Sequence, residues 1–150
     1  QIWDSVQNHI GNEVLNFVLA KKGQSVFFTG TTCMFKTNTF KNYTLANNLT
    51  EDTYLSYDLI CDGEKISYNN NSSSYEEVAF DARSYLFRKR RWSAGHTKAF
   101  FDHFKKIFKS KISFSEKCKL IIHGQFFLLP VITALLVNVY GIYFYLQFFT

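Results

Sequence analysis

The feature that most constrains the fold of this chain is a C-terminal run of 31 residues without a charge. Residues 120–150 contain no Asp, Glu, Lys or Arg and are rich in Leu, Val, Ile, Phe and Tyr. A helix over the whole run would reach roughly 46 Å, against about 30 Å for the hydrocarbon core of a bilayer. The run therefore predicts one transmembrane helix of about 20 residues, with a kink at Pro130, and argues against a wholly soluble protein.

Charge is distributed unevenly along the rest of the chain. Residues 1–82 carry 5 basic and 10 acidic side chains, whereas residues 83–119 carry 12 basic and 2 acidic ones. Lysines directly before an apolar span mark the cytoplasmic side of a membrane protein. The sequence thus predicts a membrane localisation with residues 1–119 on the cytoplasmic side. Because the chain begins with Gln1 and its apolar run continues to Thr150, we expect it to be part of a longer protein.

Periodicity and turn residues predict helices that alternate with short strands. Apolar residues recur at helical spacing over Ile2–Lys22, and a second helix is expected from Thr50 to Gly63. Ser25–Phe28 and Lys65–Tyr68 have the composition of short strands. Strands that alternate with helices are typical of an α/β fold.

Residues 97–119 predict two further helices. Thr97–Lys109 forms a basic amphipathic helix whose apolar face carries Phe100, Phe101, Phe104, Ile107 and Phe108. Such a helix suits the bilayer interface, and packing against the protein core is the alternative. Ser113 and Glu116 have the spacing of a capping box, which predicts a new helix that continues into the uncharged run.

Two short motifs contain side chains suited to the chemistry of phosphorylated sugars. Thr50-Glu51-Asp52 places two carboxylates at a helix start, where they would also stabilise the helix end without any catalytic role. Arg88-Lys89-Arg90-Arg91-Trp92 is either a basic patch beside the membrane or a clamp for a diphosphate. Guanidinium groups bind phosphate oxygens in pairs, and Trp offers an apolar surface to a sugar ring.

Together these motifs resemble the paired signature of membrane-embedded family-2 glycosyltransferases, which include cellulose, chitin, hyaluronan and poly-N-acetylglucosamine synthases. In that family Thr-Glu-Asp is followed by Gln-(Gln/Arg)-x-Arg-Trp. Three flanking segments also resemble the family: Phe27-Phe28-Thr29-Gly30-Thr31, Glu76-Glu77 and Ser93-Ala94-Gly95. Arg88, Lys89 and Ala79 depart from its pattern, which usually has Gln, Gln or Arg, and Pro at these places.

The resemblance implies a fold and an activity. The fold is the C-terminal part of a GT-A-type glycosyltransferase domain over residues 1–93, then an amphipathic interface helix over 94–112 and a transmembrane segment over 113–150. The activity is the inverting transfer of a sugar from a nucleotide-diphosphate sugar, a UDP-sugar by first choice, to a growing polysaccharide. A non-processive glycolipid synthase with a lipid acceptor is the alternative.

The resemblance also implies roles for individual residues. Asp52 is the general base and Glu51 its catalytic neighbour. The diphosphate-binding residues are Arg91, Arg88 and Lys89, and the acceptor-binding residues are Trp92, Phe28, Thr29 and Gly30. The family binds its nucleotide and a divalent metal, Mg or Mn, through an Asp-x-Asp motif that this sequence lacks. We therefore expect the metal only in a full-length enzyme, and no activity from this chain alone.

A hypothesis of another class is a non-enzymatic, membrane-tethered module whose basic segment binds anionic lipid or nucleic acid. The net charge of +10 over residues 83–119 motivates it. The aromatic residues of Thr97–Lys109 follow a helical stripe and do not alternate with cations as stacking platforms for bases do. We therefore expect no nucleic-acid partner.

Overall fold

The chain folds into helices joined by turns and extended segments. In a computed structural model, which describes residues 2–30, 32–45, 48–71 and 75–149, the helices are α1 (Ile2–His9), a π-helical segment (Ile10–Asn16), α2 (Phe17–Lys21), α3 (Thr37–Phe40), α4 (Glu51–Cys61), α5 (Ala82–Lys109), α6 (Phe114–Gly124) and α7 (Leu128–Phe149). The first three run on without a break, which confirms the helix predicted from Ile2. Thr31, which belongs to one of the segments that resemble the glycosyltransferase family, lies outside the described residues.

The α/β prediction, and with it the GT-A-type domain, is wrong: the described residues contain no strand or sheet. The two predicted strands are extended segments joined by one hydrogen bond, from the Val26 N–H to the Ile66 carbonyl at 3.0 Å. The neighbouring N–H groups find side chains instead. Ser25 donates to Glu116 Oε1 at 2.9 Å and Phe28 donates to the Ser56 hydroxyl at 2.9 Å. Helical side chains thus satisfy the backbone groups that a sheet ladder would pair.

The hydrophobic core lies where α4, α5 and α6 meet. Its fully buried side chains include Tyr57 of α4, Phe100 and Ile107 of α5, and Leu120 of α6. The Tyr57 hydroxyl donates to the Leu120 carbonyl at 3.2 Å, which ties α4 to α6. A Cβ at Gly124 would overlap the ring of Phe100. The close crossing of α5 and α6 therefore needs glycine at this position.

An ion-pair cluster fastens α5 to α4 at the edge of this core. Lys106 Nζ lies 2.8 Å from Asp58 and 2.9 Å from Asp62, and Nε2 of the buried His103 lies 3.2 Å from Asp58. Hydrogen bonds from His103 and Lys106 lower the pKa of Asp58 to about 2. The two aspartates therefore connect α4 to α5, the helices that carry the two motifs.

Helix α5 is much longer than the predicted helix over Thr97–Lys109. It begins after Asp81, whose side chain accepts a hydrogen bond from the Ser84 N–H at 2.7 Å and caps the helix. The expected boundary at 93/94 falls inside this helix. Its predicted apolar face divides into two: Phe100 and Ile107 are buried, and the exposed part is Phe101, Phe104 and Phe108.

The membrane-spanning prediction is confirmed in its coarse form. Within the described residues, Leu128–Phe148 of α7 is the one segment long and apolar enough to cross a membrane. Helix α6 begins at the predicted capping box, where the Ser113 hydroxyl accepts from the Glu116 N–H at 3.2 Å, and ends at Gly124. Pro130 lies in the first turn of α7, where its missing N–H breaks no helical hydrogen bond. The predicted kink is therefore not needed, because Pro130 lies at the start of a helix and not in its middle.

Candidate functional site

The proposed base, Asp52, lies in the first turn of α4 and is half-buried. Its Oδ1 accepts hydrogen bonds from the Thr53 N–H at 2.7 Å and from the Thr53 hydroxyl at 3.3 Å. Burial raises the pKa of Asp52, and the negative charge of the exposed Glu51 acts in the same direction. A carboxylate with a raised pKa is a better proton acceptor than a solvated one.

The segment predicted to bind the acceptor packs directly on the start of α4. The Ser56 hydroxyl accepts from the Phe28 N–H at 2.9 Å and donates to the Asp52 carbonyl at 2.9 Å. Gly30 has a φ of 80°, and a Cβ there would lie 2.9 Å from Oδ2 of Asp52. The exposed Thr29 lies between these two anchors. The structure thus brings the Phe28–Gly30 segment to the base and leaves Oδ2 facing a residue without a side chain.

The second motif reaches the same place through the residues that follow its tryptophan. Gly95 of α5 is buried against Thr50, so closely that a Cβ would lie 2.5 Å from both Oγ1 and Cγ2 of that threonine. One residue further along α5, His96 Nε2 lies 3.3 Å from the Thr53 hydroxyl. The start of α4 therefore contacts both the acceptor segment and the part of α5 that follows Trp92.

The basic residues of the second motif form a cation-π cluster on α5. Lys89 Nζ lies 4.3 Å from the ring centre of Trp92, and the Arg88 guanidinium lies 5.4 Å from it. Burial and the charge of Arg88 lower the pKa of Lys89. Arg91 is exposed and Trp92 is half-buried. Arg91 precedes Gly95 by four residues, so the two lie on neighbouring turns of one side of the helix.

Two histidines lie beside the start of α4 and the acceptor segment. The ring of His96 lies 5.6 Å from that of His123 and 5.4 Å from that of Phe127. His123, on α6, stacks on Phe27 at 3.6 Å. Burial lowers the pKa of His96 to about 4 and that of His123 to about 3. Both imidazoles are therefore neutral at pH 7.

Sequence reasoning missed Thr53, Ser56 and His96, which make the contacts around Asp52. It interpreted all four histidines as structural, because none has metal-ligand spacing. One signal was available: His96 directly follows the small residues after Trp92, so any helix that brings Gly95 to the first motif also brings His96. Thr53 directly follows Asp52, and Ser56 follows it by four residues, about one helical turn.

A metal site does not form from the residues that the structure describes. They contain no group of three or more His, Cys, Asp or Glu side chains placed to hold an ion. Asp58 and Asp62 are engaged by Lys106. The chain's described residues therefore do not fit the divalent metal that the resemblance implies.

Comparisons with models of protein families, with curated proteins and with solved structures found no match to the chain.

Proposed function

We propose that the protein is an inverting glycosyltransferase that moves a sugar from a nucleotide-diphosphate sugar to a saccharide acceptor at a membrane. The observation that carries this proposal is the convergence at Asp52: a half-buried carboxylate with one oxygen held by Thr53 and the other facing Gly30. A general base needs such a free oxygen, in a place that an acceptor hydroxyl can reach.

In the proposed reaction Asp52 removes the proton from an acceptor hydroxyl while the hydroxyl oxygen attacks the anomeric carbon. The bond from that carbon to the diphosphate oxygen breaks, and the nucleoside diphosphate leaves with the electron pair from the opposite face. One displacement inverts the configuration, so an α-linked donor yields a β-linked product. Glu51 is exposed beside the base, where its charge raises the basicity of Asp52.

Helix α5, which contacts the start of α4 through Gly95, also carries positive charge. Arg91 is exposed one turn before Gly95 and is available to an anionic ligand. The leaving diphosphate gains negative charge as the reaction proceeds, so a guanidinium placed at it stabilises the transition state more than the ground state. Arg88 and Lys89 add charge to the same helix, and Trp92 offers its ring to the acceptor sugar.

The membrane enters the proposal through α7 and the exposed aromatic residues of α5. A helix that can cross the bilayer follows the site after α6, and Phe101, Phe104 and Phe108 are exposed on α5. We propose that the site faces the cytoplasm, because the lysines before α7 follow the positive-inside rule. A growing polysaccharide is the first choice of acceptor and a glycolipid the second.

The proposed reaction is described without a divalent metal, because the described residues do not form a site that fits one. We propose that residues outside this chain supply it in the enzyme made from the complete coding sequence. The chain's own residues bind and orient the acceptor, take up its proton and attract the diphosphate.

One observation favours a second function, that of a membrane-tethered module that binds anionic lipid. The exposed Phe101, Phe104 and Phe108 lie on a helix that also carries Lys98, Lys105 and Lys109. This pattern is typical of helices at an anionic membrane surface. It does not explain the packing of the acceptor segment and of Gly95 and His96 against the start of α4, and we therefore place it second.

The test uses membranes that contain the protein expressed from its complete coding sequence. They are incubated with a panel of radiolabelled UDP-sugars, and the incorporated label and the anomeric configuration of the product are measured. Transfer from one donor with a β-linked product supports the proposal. Failure of every donor, combined with salt-sensitive binding to anionic vesicles, would favour the lipid-binding module, and an α-linked product would exclude the inverting mechanism.

A further inference from the structure

We propose that His96, acting through the hydroxyl of Thr53, is a positioning residue that fixes which oxygen of Asp52 takes up the proton. The inference rests on the proposed function, in which Asp52 is the base. It adds α5 to the helices that contribute to the site, since His96 belongs to α5 and Asp52 to α4. Nothing in the two motifs themselves assigns a role to either Thr53 or His96.

The geometry is a chain of three groups. His96 Nε2 lies 3.3 Å from the Thr53 hydroxyl, and that hydroxyl lies 3.3 Å from Oδ1 of Asp52. The Thr53 N–H adds a second donor to the same oxygen at 2.7 Å. Thr53 is only 1% exposed, so its hydroxyl is shielded from bulk water.

The direction of the hydrogen bonds follows from what each group can donate. A neutral imidazole carries one N–H, and an ionised carboxylate only accepts. The Thr53 hydroxyl donates its single proton to Oδ1 of Asp52, so in the proposed arrangement His96 adopts the tautomer whose Nε2–H donates to that hydroxyl. Hydrogen bonds in series polarise one another, so the donor at each end strengthens the next.

Oδ1 is thereby occupied by two donors and Oδ2 remains for the acceptor hydroxyl. Oδ2 is the oxygen that faces Gly30, where a Cβ would stand 2.9 Å away. Without the Thr53 hydroxyl, Oδ1 would keep only the Thr53 N–H as a donor from this residue, and the orientation of the carboxylate would be fixed less firmly. With both donors on Oδ1, Oδ2 is the oxygen left towards Gly30.

The charged and titratable groups nearby do not fix the orientation of the Asp52 carboxylate. Glu51 on α4 raises the pKa of Asp52 by its charge, and His123 on α6 approaches His96 only through its ring. Lys119 of α6 lies near His123, whose pKa it lowers. Hydrogen bonds from the Thr53 N–H, from the Thr53 hydroxyl and from the backbone of Asp52 itself lower the pKa of Asp52 against the effect of burial, so loss of the hydroxyl should raise this pKa further.

The experiment compares the pH dependence of transfer in variants of the protein expressed from its complete coding sequence. Thr53→Val keeps the shape of the side chain and removes the hydroxyl, and His96→Phe keeps a ring and removes the donor. Thr53→Ser and His96→Gln restore a donor and are the matched controls. For each variant, kcat, the KM for the donor and the acid limb of kcat/KM are measured. The pKa of Asp52 is measured separately by carbon NMR of a labelled carboxyl, which does not require turnover.

We expect Thr53→Val to move the acid limb and the pKa of Asp52 up by about one pH unit, the effect of one hydrogen bond to a carboxylate. We expect kcat to fall roughly tenfold with an unchanged KM for the donor. His96→Phe should shift both in the same direction by less, and the two control variants should restore the wild-type pH profile.

Unchanged pH profiles in both Thr53→Val and His96→Phe, in a protein whose transfer still depends on Asp52, would overturn this inference and leave the proposed function standing. A carboxyl pKa that moves as expected in a protein that transfers no sugar would instead overturn the proposed function and support the hydrogen-bond chain as a structural device. A lower kcat without any change of pH profile would show that Thr53 acts only through packing, and would also overturn the inference.

Discussion

Replacement of Gly95 by alanine tests the contact that joins the two motifs. A Cβ at this position would lie 2.5 Å from both Oγ1 and Cγ2 of Thr50, about 1 Å closer than ordinary van der Waals contact. Overpacking of this kind costs about 1–3 kcal/mol, whereas alanine gains about 1 kcal/mol over glycine in a helix interior. Gly95→Ala should therefore lower the free energy of unfolding by roughly 0–2 kcal/mol, a net effect too small to interpret alone.

A double-mutant cycle with Thr50→Ala separates the two contributions. This second substitution removes both atoms that lie 2.5 Å from the added methyl group, and the next atom of Thr50, its Cβ, lies 3.0 Å away. Gly95→Ala should then be neutral or stabilising, which gives a coupling energy of about 1–3 kcal/mol. Gly11→Ala is the control: this helical glycine has no atom within 4 Å of an added Cβ, and its effect should be the same in both backgrounds.

The assay is urea unfolding in detergent, followed by the fluorescence of the half-buried Trp92, together with the rate of sugar transfer. Displacement of α5 by about 1 Å should lower transfer by up to about 100-fold, and Thr50→Ala should recover part of this loss. Equal effects of Gly95→Ala in the two backgrounds, within about 0.5 kcal/mol, would refute the contact between the motifs.

Three further predictions follow from exposure, charge and the basic motif. A membrane-impermeant maleimide should label the exposed Cys33 only after cells are permeabilised, and should leave the buried Cys61 unlabelled in both cases; labelling of Cys33 in intact cells would contradict the cytoplasmic placement. The pKa of Asp58 is lowered to about 2, so the contribution of its ion pairs to stability is complete above about pH 4 and is lost as the pH falls towards 2. Acid titration of the free energy of unfolding should show this loss in the wild type and not in Asp58→Asn. Because the ion pairs are partly solvated, Asp58→Asn should be less stable than the wild type by about 1 kcal/mol at neutral pH. Arg91→Ala should weaken binding of the product nucleotide, and Trp92→Ala should leave that binding unchanged and shorten the product; equal effects of both on membrane association, and on nothing else, would assign the motif to lipid contact.

The sequence predicted the elements that local rules determine. The cap at Ser113 and Glu116 is a contact over three residues, and α7 follows from composition alone. Gly23 ends the first helical stretch with a φ of 73°, as a glycine after a helix is expected to. Each of these features depends on neighbours within a few residues, and each was found at or close to its predicted position.

The prediction of two strands was wrong because the backbone hydrogen bonds of the first segment go to side chains that are distant in sequence. Ser25 and Phe28 bond to Glu116 and Ser56, which are 91 and 28 residues away in sequence. A short apolar run between turn residues has the same pattern whether its N–H groups pair with a strand or with helical side chains. The α/β interpretation therefore had no local feature that could correct it.

The site was predicted only in part, because some of its contacts also join residues that are far apart in sequence. The resemblance selected Asp52 and Gly30, and the structure brings them into contact. The Thr53 and His96 pair is separated by 43 residues and depends on the packing of α4 against α5. That packing is set by Gly95 and by the ion pairs of Lys106, which single-sequence periodicity does not reveal.

The most direct test of the central claim is the effect of Asp52→Asn on transfer and on nucleotide binding, measured on the same membranes. The substitution preserves shape and removes only the proton acceptor, so turnover should fall about 10²–10⁴-fold while the product nucleotide still binds. Asp81→Asn is the matched control, because this exposed residue caps α5 and asparagine is an equally good cap; its turnover should equal that of the wild type. Near-normal turnover by Asp52→Asn would contradict the account.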